Sequence, residues 1–254
     1  MKSILSVKTI LISGAAVLFA LCQQPKHTDA GCPSGELAFC KETVSKRIKE
    51  MSEDVGTRLS AFAAEVMADQ LFSLRLLVEN NRSAPEVTGK AGQFIKPMGF
   101  SVLTVLDSAS IILSSGDFSA STGNSALKKA SLLSEESTFI VDQIMGKSVL
   151  TLQAKKAIKI VDSIPLFALG GIVIDEGVLA RLSPCRGVTV LLKQGSAITG
   201  LAGVRTITDV LDNKIVINDK TYGAFQIDLS FAGEGDRPVL IVIIQPIAPA
   251  PGGR

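Results

Sequence analysis

The hydrophobic period of this chain changes once, at Pro97, and that change limits the folds open to it. Upstream, between residues 41 and 80, the row Phe62, Val66, Gln70, Leu74 keeps helical spacing, and Leu59, Ala63, Leu71, Leu76 and Leu77 widen it into an apolar stripe. Gly56 stands where it would soften such a helix, so one long helix or two stacked ones are expected, ended by Asn80, Asn81, Ser83 and Pro85. Downstream, β-branched runs predict short strands at 100–106, 111–114, 139–144, 148–154, 157–161 and 166–174, the last interrupted by Gly170-Gly171. Ser125 is placed to cap a short helix running to Leu133, and Asp175 to cap another at 176–182 that Pro184 stops. After Gly187 a second block of strands is expected at 188–192, 206–211, 214–217, 221–229 and 239–244. The fold class is therefore α+β: a long N-terminal helix followed by a mixed or antiparallel sheet, as one unit or as two in tandem.

The N-terminus carries an export signal. Lys2 and Lys8 precede an apolar run from Thr9 to Cys22, which is a basic region followed by a hydrophobic stretch of signal length. A cleaved signal, an uncleaved anchor with Lys8 snorkelling, and a lipoprotein signal at Cys22 all remain open, although Leu21 departs from the small residue a lipidation site wants. Each places the rest of the chain outside the cytoplasm, in the periplasm and held at the inner membrane, or secreted if cleaved. Residues 23–40 read as a polar linker, 41–185 as the helix and first unit, 186–245 as a smaller second unit, and 246–254 as a Pro/Gly-rich tail. Within the linker, Cys32 and Cys40 flank Pro33 and Gly35 and are spaced to close a small disulfide loop, while Cys185 has no evident partner.

Several functions are disfavoured by what the chain lacks. Its net charge of +2 is too small for a dedicated nucleic-acid binder. One histidine, His27, lies in the linker, which removes Ser-His and Cys-His nucleophilic schemes from the folded region. No phosphate-binding loop, nucleophile elbow or metal-spaced Cys/His set occurs, so neither a metal nor a cofactor is expected. Asp175 and Glu176 are adjacent at a helix start and point apart, which suits a cap better than acid–base chemistry. The chain reads as non-catalytic.

Three strings then carry a resemblance. They are VLDSASIILSSGDFSASTG at 105–123, LGGIVIDEGVL at 169–179 and YGAFQIDL at 222–229. Together with the order of elements they resemble the extracytoplasmic Cache-like (PAS-like) sensor regions of bacterial two-component histidine kinases, over roughly residues 41–245. One departure is local: where those sensors carry a glycine after Asp107, this chain has Ala109 and Ser110. The resemblance implies a sensor without its kinase part, a homodimer, a separate histidine kinase as transmitter, and a small-molecule pocket over one sheet face. The cover of that pocket would be 116–133, making Ser115, Asp117, Ser119, Ser121 and Thr122 candidate ligand contacts, with Gln153 and Lys155 projecting from a neighbouring strand. The ligand is open between a small organic anion, something apolar, or none. The competing readings are a structural or scaffolding envelope protein and a periplasmic solute-binding protein.

Overall fold

The structure is a computed structural model and describes residues 37–160, 164–185, 187–200 and 207–244. A helix of 32 residues, α1 (Leu37–Ala68), opens it. At 1.5 Å per residue it spans about 48 Å. Val44, Val55, Leu59, Phe62, Ala63 and Val66 fall on one side of it and are buried, so its stripe is the face that packs. Gly56 sits inside it without a break. The helix begins at Leu37, within the stretch expected to be linker, and Asp69 ends it. The Asp69 side chain accepts the Phe72 N–H at 3.0 Å and starts the short α2 (Gln70–Ser73). A π-helical turn, Leu74–Val78, and two short helices, α3 (Pro85–Thr88) and α4 (Lys90–Phe94), complete the helical part.

Two five-stranded antiparallel sheets follow. The first holds β1 (Val102–Leu106), β2 (Ile112–Ser115), β3 (Thr138–Ile144), β4 (Lys147–Ile160) and β5 (Ile164–Val173), in the spatial order β2-β1-β5-β4-β3. Helix α5 (Leu127–Leu132) lies between β2 and β3 in the chain. Helix α6 (Glu176–Leu182), capped by Asp175 through the Val178 N–H at 2.8 Å, leads to the second sheet. That sheet holds β6 (Val188–Gln194), β7 (Ala197–Thr199), β8 (Lys214–Ile217), β9 (Lys220–Asp228) and β10 (Val239–Ile244), ordered β7-β6-β10-β9-β8. Counted from its own first strand, the second sheet repeats the order of the first. Helix α1 packs on β4 and β5 of one sheet and on β9 and β10 of the other, so one rod serves both units.

Three strand expectations change. The runs 148–154 and 157–161 form a single strand, β4, because its pairing with β5 continues unbroken from Thr151↔Val173 to Ile160↔Ile164. Gly170 and Gly171 do not interrupt β5. They are needed there, since a Cβ on Gly170 would lie 2.7 Å from Leu59 Cδ1 of α1, and one on Gly171 would lie 2.2 Å from the Leu152 carbonyl oxygen of β4. The strand expected at 206–211 reduces, in its described part, to single bridges at Ile207 and Leu211, and β7 was not expected at all.

Asp107, in the first of the sequence strings, builds the β1–β2 turn. Its Oδ1 accepts the N–H groups of Ala109 at 2.9 Å and Ile111 at 2.8 Å, and its Oδ2 takes Arg82 Nη1 at 2.6 Å. Ser110, one of the two residues standing in place of the glycine that the resemblance led one to expect, holds a left-handed backbone with φ of 62°. Asp107→Ala is expected to lower stability by about 2 kcal/mol, because two turn N–H groups lose their acceptor. Asp107→Asn should lose less than half of that, since its amide oxygen keeps both bonds. Urea unfolding of the two variants checks the order, and equal losses would assign the effect to Arg82 instead.

The Cys32–Cys40 loop rests on Cys32, which lies outside the described residues, as do the apolar segment 1–22, His27 and the tail 246–254. Cys40 itself is buried against the core, and desolvation pushes its thiol pKa up. Cys185, for which the sequence suggested no partner, is disulfide-bonded. Among the described residues no helix is long and apolar enough to cross a membrane.

Candidate functional site

The first sheet is covered on both faces. Helix α1 takes one, and the segment 116–133 arches over the other. Side chains alternate along strands, and paired residues share a face. Thr104 pairs with Leu169 and with Ser115, Gln153 with Gly171, and Lys155 with Leu169. These residues look toward the cover. The cover is held at its near end by the backbone bonds Ile112 N–H to Asn124 O at 2.9 Å, Gly123 N–H to Ile112 O at 2.8 Å and Ala126 N–H to Ser110 O at 2.8 Å. Gly116 lets it turn tightly past α4, because a Cβ there would meet the Ala91 carbonyl oxygen at 2.9 Å.

Between cover and sheet lies a cavity of about 450 Å³. Its floor is Thr104, Ile140 and Leu169, and its walls are Ile112, Phe118 and Leu132 of the cover side and Val141 and Gln143 of β3. The polar lining comes from Ser115, Asp117, Ser121, Ser125, Lys128, Lys129 and Asp142. An apolar body with a few polar groups is the usual make-up of a small-molecule site.

The seven residues singled out from sequence divide by geometry. Ser115, Asp117 and Ser121 line the cavity. The Ser115 hydroxyl donates to Asp117 Oδ1 at 3.1 Å and accepts the Phe118 N–H at 3.2 Å, which fixes the entry to the cover. The structure places Ser119 and Thr122 outside the lining. Both are turn residues, and the Thr122 hydroxyl donates to the Ser119 carbonyl at 2.9 Å. Lys155 is also outside: its ammonium lies 5.7 Å over the Phe167 ring and donates to the Ala130 carbonyl at 2.9 Å, pinning α5 to the sheet. Gln153 is fully buried beneath the lining. Its amide N–H groups donate to Asp142 Oδ2 at 2.7 Å and Thr151 Oγ1 at 2.8 Å, and its Oε1 has no hydrogen-bond partner among the described residues.

Sequence reasoning missed Lys129, Asp142 and Thr104. Lys129 of α5 forms an ion pair with Asp142 of β3, the second tie between cover and sheet. Asp142 occupies the same strand face as the buried Ile140, so an acid at an inward position of a predicted strand was the available signal. Among the described residues no group of His, Cys, Asp and Glu could hold a metal ion.

No protein-family model matches the chain, and no curated protein matches it. Solved structures do. The periplasmic domain of LuxQ from Vibrio cholerae superposes with a TM-score of 0.52 at 13% identity, over 82% of this chain and 97% of that one. The sensor domain of the V. cholerae histidine kinase DctB superposes with a TM-score of 0.51 at 9% identity, over 83% of this chain and 98% of that one. At such identities the likeness is one of fold. The long helix and two sheets form the PAS-like sensor fold that the resemblance implied, and of the two arrangements left open it is the tandem one.

Proposed function

We propose that this chain is an extracytoplasmic, non-catalytic sensing domain whose small-molecule ligand occupies the cavity between the first sheet and the 116–133 cover. The cavity carries the proposal. At about 450 Å³ it is of the size of small-molecule sites, and it lies under a cover held to the sheet by few ties. The tandem fold, shared with a periplasmic domain and with a histidine kinase sensor domain, supports the same reading. On this reading residues 1–22 export the chain or hold it at the inner membrane, two copies pair through α1, and a separate histidine kinase carries the signal onward. A ligand signals only by binding two states unequally. The two states here are a cover closed on the sheet through Lys129–Asp142 and Lys155–Ala130, and one released from them.

The test is thermal melting of the full chain against a library of small carboxylates, amines, sugars and nucleobases, in wild type and in Ser125→Trp. Ser125 is exposed at the rim, so an indole there fills space without displacing the core. At a ligand concentration a hundred times Kd, binding adds about 2.7 kcal/mol, which raises Tm by about 5–10 °C. A stabilising compound is expected for wild type, with its effect lost in Ser125→Trp. If no compound moves either protein, the sensing proposal fails.

A further inference from the structure

Beyond the presence of a ligand, the polar groups left without partners bear on its chemistry. Acceptors and donors in the cavity are not equally engaged. The inward cation is committed: Lys129 is paired with Asp142, whose Oδ2 also takes the Gln153 amide and whose Oδ1 takes the Gln143 N–H at 2.9 Å. Lys128 also lines the cavity, but its side chain is 84% exposed and reaches toward the still more exposed Glu234 at 3.8 Å. Lys155 is spent on the Ala130 carbonyl. Among the described lining residues, then, the enclosed cation is Lys129, which is paired, while Lys128 stays largely in solvent.

The opposite holds for acceptors. Asp117 lines the cavity, and the Ser115 hydroxyl on Oδ1 is its side chain's one hydrogen-bond donor among the described residues, with no cation beside it. Thr104, 5% exposed and on the floor, has a hydroxyl that makes no hydrogen bond among the described residues. On the same sheet face, Gln153 Oε1 is a further buried acceptor without a donor among the described residues. Asp117 is half-buried at the cavity edge, and a lining carboxylate that has no ion-pair partner among the described residues complements a cation better than an anion.

We infer that the cavity takes a small organic ammonium, its charged nitrogen donating to Asp117 and Thr104 and its hydrocarbon body lying on Ile112, Ile140 and Leu169. This rests on the cavity being the ligand site. It also reverses one sequence-based option, a small organic anion, because the cation such a ligand needs is already neutralised.

The test compares matched probes on one carbon skeleton, isobutylamine with isobutyrate and isobutanol, and cyclohexylamine with cyclohexanecarboxylate and cyclohexanol, by calorimetric titration of the full chain. An amine is expected to bind in preference to its carboxylate and its alcohol. Asp117→Asn, which keeps the Ser115 bond and the side-chain shape, should weaken the amine about ten-fold or more, as loss of a charged hydrogen bond does. Thr104→Val should weaken it about three-fold. Tighter binding of a carboxylate or alcohol, or an amine affinity unchanged in Asp117→Asn, overturns this inference while leaving the sensing site in place. Binding of none of the six overturns it too, and the library screen on wild type and Ser125→Trp then decides separately whether the cavity holds ligands.

Discussion

Gly171→Ala should be one of the most destabilising single changes in the first sheet. The added Cβ would sit 2.2 Å from the Leu152 carbonyl oxygen, 2.5 Å from Gln153 Cγ and 2.9 Å from Gln153 Cα. Two of these atoms are backbone of β4, which is locked to β5 by ten paired residues and cannot swing aside. Overpacking of this kind costs about 3 kcal/mol or more, a large part of the 5–15 kcal/mol that holds a domain together, and Tm should fall by about 6–12 °C. Gly170→Ala is the control. Its Cβ would meet the ends of the Leu59, Leu103 and Phe100 side chains at 2.7–3.2 Å, and side-chain ends can move. A cost of about 1 kcal/mol is expected there. Equal losses in urea unfolding would show that β5 shifts as a whole and that the clash at Gly171 is relieved.

Asp69→Ala is the second large effect. Lys90 of α4 is 4% exposed, with its ammonium 2.5 Å from Asp69 Oδ2 and 5.0 Å from the Phe94 ring centroid. Removing the carboxylate strands a buried cation and also uncaps α2. Breaking one side of such a pair costs about 3–5 kcal/mol, and a lost cap about 1 kcal/mol. Lys90→Met, which removes the charge and keeps an apolar stem, should cost about 1 kcal/mol or less. Acid makes the same point. Burial raises the Asp69 pKa, but the hydrogen bond and charge of Lys90, with the N–H groups of Phe72 and Leu71, outweigh it and hold the carboxyl below its ordinary value. A carboxyl depressed by folding stabilises fully above the unfolded value, near pH 4, and this is lost as pH falls through the folded value. The gap in urea midpoint between wild type and Asp69→Ala should therefore stay constant near neutrality and narrow in acid. A gap independent of pH would remove the ion pair from the account.

Local chemistry was legible and distant pairing was not. The run Val239–Ile244 forms β10 over its predicted length because six apolar residues bounded by Pro238 and Pro246 leave little choice. Asp175 caps α6 as its spacing foretold. The cover and its place over the sheet followed from the resemblance, and Ser115, Asp117 and Ser121 do meet in one cavity. The sequence sets Gln153 and Lys155 on one strand but does not fix what either side chain meets. Their roles depend on what α5 and β3 bring near, Ala130 and Asp142, at separations no periodicity encodes. Gly170-Gly171 misled for a related reason. Glycines usually mark a break, and only the approach of Leu59 and β4 shows them to be the condition for a continuous strand.

The first unit does not end where its own chain ends. Strand β3 is an edge of the first sheet, and Phe139 on it exchanges backbone bonds with the segment just after β9: its N–H reaches the Ser230 carbonyl at 2.9 Å, and its carbonyl takes the Ala232 N–H at 2.9 Å. The later module thus supplies the selvedge of the earlier one. A chain trimmed to its first unit would bare that border to whatever strand met it first, and open borders of this sort invite chain-to-chain stacking. The same stitch lies one residue from Ile140 on the cavity floor, so the floor is tied by main chain to the second module at a point separate from α1.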